Sequence, residues 1–450
     1  MATSSNSGNK ASGLAGKLGF KKGTFSGFLA VVLSGQLFYS CLQALRGPFY
    51  TQLLQMLHVN NTQFGLMFTI TSISSFLTLP GGWIMNRFSV KSILITCLSV
   101  RCITILAMIY GNLSVTGLYI LAAIWSLIQA VFFPTVLNGV ALLSTKENKS
   151  IAFSMLEWIR RALQLGMDWI LVGLLAFAGM ETTLHINQIG MFKFVLLIYD
   201  LLLIPLIIMI WKAVPSNGIA ADKKNKNKNK DALVGLGKVL VMPRLWLAAL
   251  TALTIYWASL NNNYAVPYLQ NVFKMPQNAA SLIGTITSEG IGIVAAMLSG
   301  FLADKWLHST SKMIMLSLIL VAVTNLLMVF LPKNSGMTTL TVVLLMISSF
   351  GMFSAKAVYS VPASLVPMPE KYRGSAMAVN SFVCYLPNLF ALTLAGQLLD
   401  RLKPVVAYNN LWMINGIVAV VGILLAAATL HLEKKDAAKK AETAEAEPAK

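Results

Sequence analysis

The chain has 450 residues, of which 56% are hydrophobic and only 11% charged, with a formal net charge of +19. Soluble globular proteins carry about 25% charged residues, so an ordinary soluble domain is excluded and a chain that crosses a bilayer repeatedly is indicated. The basic balance raises nucleic acid as a partner, and only the location of the charge can decide that.

Residues 1–23, rich in Ser, Gly and Lys, predict a cytoplasmic tail. Apolar segments then follow at 25–48, 63–85, 93–111, 116–141, 151–178 and 191–212, forming a first six-helix bundle within 24–213. Each is long enough to cross about 30 Å of hydrocarbon at ~1.5 Å per residue. A Lys/Asn-rich stretch over 214–238, containing "ADKKNKNKNKDALVG", reads as a cytoplasmic linker. Six more segments, 245–268, 278–302, 311–331, 338–362, 375–399 and 408–431, form a second bundle within 239–432. The chain closes on a charged, Ala-rich tail over 433–450. The first segment carries no cleavage-site pattern and continues into the bundle, so no removable signal peptide is expected.

With the N-terminus inside, roughly 25 of the 35 Lys and Arg residues fall in the tails and cytoplasmic loops and about four in the opposite loops. That bias places both termini in the cytoplasm and accounts for the net charge, leaving no nucleic-acid partner. Cys41, Cys97, Cys102 and Cys384 lie inside apolar segments, with no disulfide framework or metal-ligand spacing. All the histidines lie outside the spans or at their ends. No Gly-rich nucleotide cradle precedes an α/β unit, and no catalytic triad is evident. No metal, no cofactor and no enzymatic activity are expected.

The halves echo each other. "GWIMNRFSVK" follows the second span and "GFLADKWLHSTSK" the eighth. Each begins with Gly (Gly82, Gly300), reaches Asn86 or Asp304 four residues later, then a cation, Arg87 or Lys305. The small residue permits close helix packing, and the polar residues suit a latch across a cytoplasmic loop. Twelve spans, a central linker and this paired motif resemble the major facilitator superfamily over almost the whole chain. The second copy keeps Gly300, Leu302, Ala303, Asp304 and Lys305; the first keeps Gly82, Arg87 and Lys91 but has Asn86 in place of the acid. "PEKYRGSAMA" at 369–378 is similar to the family's loop entering the eleventh helix. The resemblance implies an all-α membrane protein of two pseudo-symmetric six-helix bundles.

Residues 264–305 resemble helices seven and eight of the organophosphate:phosphate antiporters, through Pro267, Tyr268, Leu269, Glu289, Gly300, Asp304 and Lys305. Arg46 lies near that branch's phosphate-binding arginine, and Arg160 falls where one member carries a fifth-helix histidine. A second family arginine, in helix seven, has Asn261, Asn262 and Asn263 in its neighbourhood instead. A relative with a different substrate is therefore implied.

Charges inside the spans mark the candidate site, since each is costly in hydrocarbon. The cations are Arg46, Arg101, Arg160, Arg161, Lys193 and Lys356; the acids are Glu157, Asp168, Asp200 and Glu289. Arg101 lies about eight residues into the third span, from where its stem lets the charge snorkel to the cytoplasm, and Lys193 stands at the start of the sixth, where it reaches water. Asp200 is read as capping or pairing locally. In the fifth span Glu157 lies three and four residues before Arg160 and Arg161, with Gln164 and Asp168 continuing that face. One reading is an internal charge ladder. The other pairs Arg161 with Glu157 or Glu289 for gating and gives Arg160 to the substrate. The resemblance sets Glu289 opposite the arginine pair and Lys356 across the cavity from Arg46. Counting the deep groups alone, four cations then face two acids, and the missing partner is a small anion, which arginine's planar fork suits. Gln36, Tyr39, Gln43 and Arg46 share one helical face, as do Trp257, Asn261 and Tyr264, which suggests cavity walls.

The expectation is a monomeric, multi-pass transporter of a bacterial inner membrane. It moves a sugar acid, sugar phosphate, sulfonate or dicarboxylate by alternating access, as an exchanger or proton symporter. Arg46, Arg160, Lys356, Tyr39, Gln43, Asn261 and Tyr264 bind substrate. Glu157, Arg161, Glu289, Asn86, Arg87, Asp304 and Lys305 gate or couple. The competing readings are a non-transporting receptor of the same fold and a proton-coupled drug exporter.

Overall fold

The structure is a computed structural model that describes residues 24–78, 84, 88–143, 149–180, 187–216 and 237–446. All secondary structure among the described residues is helical. The chain divides into two compact units, Met1–Asp222 and Lys223–Lys450.

The first unit contains α1 (Phe25–Ser40), α2 (Tyr50–Leu57), α3 (Asn61–Ser72), α4 (Val90–Tyr110), α5 (Val115–Leu143), α6 (Lys149–Met180), α7 (Gln188–Leu201) and α8 (Leu203–Ala213). Here α1 packs on α5, α6 and α8, while α4 packs on α5, α7 and α8. The second unit contains α9 (Pro243–Asn261), α10 (Ala265–Phe273), α11 (Gln277–Thr285), α12 (Ile291–Phe301), α13 (Thr310–Phe330), α14 (Thr338–Val358), α15 (Val361–Leu365), α16 (Glu370–Tyr385), α17 (Ala391–Arg401) and α18 (Pro404–Ala446). Its centre is α13 against α14 and α18, with α9 on α16 and α18. Backbones approach closely at small residues. A Cβ on Gly422 of α18 would lie 2.4 Å from Thr254 Oγ1, and one on Gly351 of α14 would lie 2.7 Å from the Ser317 carbonyl oxygen.

Eight helical runs among the described residues are long and apolar enough to cross a membrane. The expected first, second, fifth and seventh spans are not among them. The second runs into residues 79–83, outside the described set, and the fifth carries four charged residues. The first leaves only the 16-residue α1 before its turn segment, and the first and seventh are interrupted, as are the sixth, tenth and eleventh, which corrects the expectation of continuous spans.

Proline explains the interruptions. It has no N–H to give the carbonyl four residues earlier. Pro48, Pro205, Pro267, Pro362 and Pro387 therefore leave the carbonyls of Ala44, Leu201, Asn263, Val358 and Val383 without their usual helical donor. Helices stop or change type beside each of these: turns over 41–49, a turn at Leu202, a 3-10 segment at Asn262–Tyr264, turns at 359–360 and a 3-10 segment at Leu386–Leu389. Pro134 lies inside α5 without ending it. The two units are alike here. The first span breaks and resumes as α2, the seventh as α10, and both short helices end on a left-handed residue, His58 (φ 52°) and Lys274 (φ 55°).

Large apolar side chains face outward, among them Trp158, Met297 and Phe330, the last 78% exposed. Apolar exposure on this scale suits lipid as the surrounding medium.

Candidate functional site

In the first unit a polar ladder joins the first and fifth spans. Gln36 Nε2 donates to Gln164 Oε1 at 2.8 Å, Ser40 Oγ donates to the same oxygen at 3.0 Å, and Gln164 Nε2 donates to Asp168 Oδ1 at 2.6 Å. Gln164 and Asp168 are buried. One turn before Gln164, Arg160 is half-buried with its guanidinium over the Phe133 ring, 5.0 Å from the centroid. Arg161 is also half-buried. Glu157 lies on α6, but its side chain is outside the described set.

Arg46 sits in the turn segment after α1, not on a continuous helix. The expected shared face of Gln36, Tyr39, Gln43 and Arg46 therefore ends at Ser40, where α1 gives way to turns over 41–49. The Arg46 guanidinium stands over Phe68 of α3 at 4.6 Å. Tyr39 is half-buried, edge-on to Phe38 and Phe132. Gln43 accepts a 2.7 Å hydrogen bond from Arg101 Nη2 and reaches Gln129 Oε1 at 3.5 Å.

Arg101 is where the structure departs most from the snorkelling expectation: it is 0% exposed. Its Nε donates to the Phe38 carbonyl oxygen at 3.0 Å, and its guanidinium stacks over Trp125 at 4.3 Å and Phe38 at 5.1 Å. The cause is the break in the first span. The Leu42 amide, which would have served the Phe38 carbonyl, points to Tyr39 O instead, and Arg101 replaces it. Asp200, expected to cap or pair locally, is likewise 0% exposed, with the Cys102 thiol donating to Oδ2 at 3.4 Å. Lys193 lines a small cleft with His58 and Asn112.

In the second unit Lys356 lies in the last turn of α14, half-buried, with Nζ 3.4 Å from Ser259 Oγ and 4.9 Å from the Tyr256 ring centroid. Tyr256 in turn meets Tyr385 edge-on. Asn261 ends α9 and is buried. Tyr264 is in the 3-10 turn beyond it, its hydroxyl donating to the Leu392 carbonyl at 3.3 Å. Trp257, Asn261 and Tyr264 thus do not share one α-helical face, because Pro267 and the three asparagines end the helix. Asn262 Oδ1 accepts from Ser349 Oγ at 2.9 Å. Glu289 lies in a π-helical turn, Ile286–Gly290, and Asp304 and Lys305 in a second, Leu302–Trp306. Such turns re-aim side chains and recur at functional sites. Glu289 is half-buried and Lys305 exposed, while the Asp304 side chain is outside the described set. Asn86 and Arg87 lie outside the described residues.

Four of the mid-span cations, Arg46, Arg101, Arg160 and Lys356, therefore stand over aromatic faces. Each such contact contributes about 0.5–2 kcal/mol, less than the several kcal/mol per ion that desolvation costs. The mid-span acids divide differently. Asp168 and Asp200 are fully buried, whereas Arg46, Arg160, Arg161 and Lys356 keep partial access. No cluster of His, Cys, Asp and Glu among the described residues could hold a metal ion.

The Major Facilitator Superfamily profile matches residues 32–386 and 248–450. Inner membrane protein YihN of Escherichia coli (strain K12) is 24% identical over 436 residues, covering 93% of this chain and 98% of that protein. Inner membrane protein YqcE of the same organism is 20% identical, covering 87% and 91%. Among solved structures, the nucleoside transporter NupG superposes with TM-score 0.69 at 14% identity, covering 91% of this chain and 99% of that one. A D-xylose-proton symporter superposes with TM-score 0.68 at 15% identity, covering 89% and 97%. These structural likenesses concern the fold.

Proposed function

Because the chain belongs to the major facilitator superfamily, and so has a transporter fold, we propose that it is a secondary transporter of a small organic anion. The observation that carries the substrate class is the sorting of mid-span charge. Among the described side chains, the acids Asp168 and Asp200 are buried among helices, and Arg46, Arg160, Arg161 and Lys356 keep partial access against Glu289; counting Glu157 as well, four deep cations face two acids. An anion is the ligand such a set attracts, and guanidinium forks suit a carboxylate, phosphate or sulfonate. Sugar acids, sugar phosphates, sulfonates and dicarboxylates all fit.

In this reading Arg160 and Lys356 hold the anionic group, and Arg46 of the broken first span is a third ligand. Tyr39, Gln43, Asn261 and Tyr264 shape the polar surroundings. Arg161, with Glu157 or Glu289, serves gating. Asn86 with Arg87 and Asp304 with Lys305 form two latches, the second stronger because it carries a full negative charge. Transport proceeds by alternating access. The relatives named as inner membrane proteins support a cytoplasmic-membrane location, and the Lys/Arg bias supports cytoplasmic termini.

The test is a thermal-shift screen of purified protein against small anions, then the same titration with Arg160→Gln and Lys356→Gln. Each substitution is expected to weaken the best anion at least ~10-fold, about 1.4 kcal/mol, in a folded, monodisperse protein. Unchanged affinity in both variants contradicts the assignment.

A further inference from the structure

Neither Arg101 nor Asp200 is assigned to hold the anion, although Arg101 donates to Gln43, which lies in the proposed polar surroundings of that site. Asp200 sits at the interruption of the sixth span, one residue before the end of α7 at Leu201, whose carbonyl Pro205 cannot serve. It is 0% exposed. The Cys102 thiol, a weak donor, lies 3.4 Å from Oδ2, and Oδ1 has no hydrogen-bond partner. Arg101, the neighbour of Cys102 on α4, is within electrostatic reach of Asp200. It does not neutralise the carboxylate by a direct hydrogen bond. Its Nε and Nη2 are committed to the Phe38 carbonyl and to Gln43, and its Nη1 has no hydrogen-bond partner.

A guanidinium and a carboxyl are thus buried in one cluster, and the guanidinium is held by the broken first span. An ionised carboxylate with one thiol donor carries a desolvation cost of several kcal/mol, and the neutral carboxyl does not. Other ionisable groups face the cluster. Cys41 and Tyr39 come from the first span, Tyr199 from the same helix as Asp200, and Asp168 from the fifth span, against Tyr199.

We infer that Asp200 is a proton-binding site, and that Arg101 links its protonation to the break in the first span. When the proton leaves for solvent, the carboxylate competes with Phe38 O and Gln43 Oε1 for the Arg101 guanidinium. Gln43 lies in the same turn segment as Arg46, so loosening that segment moves a proposed anion ligand. No electron transfer is involved. The proton site stands on the geometry of the first unit; only its role in a transport cycle rests on the transporter reading.

Infrared spectra of the purified protein across a pH series test this directly. The carbonyl stretch of a protonated carboxyl should be present at low pH, disappear as pH rises, and be absent in Asp200→Asn. In Arg101→Gln the pH at which it disappears should move, because the guanidinium no longer lies beside the carboxyl. An unchanged titrating band in Asp200→Asn overturns the inference, and so does an unmoved titration in Arg101→Gln. An Asp200→Asn protein that cannot fold also overturns it, since the amide mimics the neutral carboxyl. Cys102→Ala, which removes only the thiol, should keep a titrating band; its loss there counts against Asp200 as the carrier. A band missing from the parent protein at low pH overturns the inference and leaves the anion reading untouched. A band present in a protein that binds no anion contradicts the anion reading alone.

Discussion

Replacing Arg101 with leucine should be among the most damaging single changes in the first unit. The side chain is fully buried and supplies two hydrogen bonds, at 3.0 Å to the Phe38 carbonyl and 2.7 Å to Gln43. Bonds to a charged group contribute about 1.5–3 kcal/mol each, and the stacking on Trp125 and Phe38 adds roughly 0.5–2 kcal/mol. Against this stands the desolvation of the guanidinium, which leucine does not incur. Leucine also leaves the Phe38 carbonyl without its donor, since the Leu42 amide points elsewhere. Leaving the Phe38 carbonyl and Gln43 Oε1 without a donor costs about 1–3 kcal/mol each, so the net loss is about 2–6 kcal/mol. At ~2–4 °C per kcal/mol, the melting temperature of detergent-purified protein should fall by roughly 10 °C. A double-mutant cycle with Gln43→Leu isolates the shorter bond and should return a coupling of about 1.5–3 kcal/mol. A melting temperature within ~2 °C of the parent, or a coupling below ~0.5 kcal/mol, refutes the view that Arg101 staples the first-span break.

Glu157→Gln should destabilise the protein, and adding Arg161→Gln should restore part of the loss while adding Arg160→Gln should not. Adjacent helix positions point about 100° apart, so the two arginines cannot serve one partner alike; rescue by Arg160→Gln instead would exchange their roles, as melting curves will show. Lys333, in the loop between α13 and α14, donates to the Met328 carbonyl beside the Tyr268 ring. Burial pushes its ammonium down from 10.5 to about 8. Between those values the unfolded chain holds a proton that the folded one has released, so stability should rise with pH through that window. Lys333→Met should flatten the rise, and a slope equal to the parent's would show that Lys333 does not cause it.

The spans themselves were legible because apolar length is a strong signal, and the described helices begin and end close to the expected limits in the third, fourth and ninth spans. The breaks were harder to read. Hydropathy does not fall around Pro205, and the polar residues before Pro48 and Pro267 read as cavity faces rather than as breaks. The relevant signal is backbone chemistry, a missing N–H four residues on from a carbonyl. Overlooking it extended one helical face from Gln36 to Arg46 and another from Trp257 to Tyr264. Arg101 was misjudged for a related reason. Its distance from the span end allows snorkelling, and only the displaced Leu42 amide explains why it turns inward. Asp200 needed both facts together, because neither its helix nor its spacing shows that α4 brings a thiol and a guanidinium beside it. The fifth-span ladder was partly visible. The four-residue spacing of Gln164 and Asp168 is realised as a hydrogen bond, while the reach of Gln164 to Gln36 and Ser40 required the packing of α1 on α6.

Flux through the purified protein in sealed liposomes bears most directly on the central proposal. Vesicles loaded with the anion that gives the largest thermal shift should accumulate the labelled anion from outside in a saturable way. Arg160→Gln and Lys356→Gln should each abolish that accumulation in correctly inserted protein. Binding without flux for every anion tried, or flux that survives both substitutions, would contradict the assignment of this chain as an organic-anion transporter using those cations.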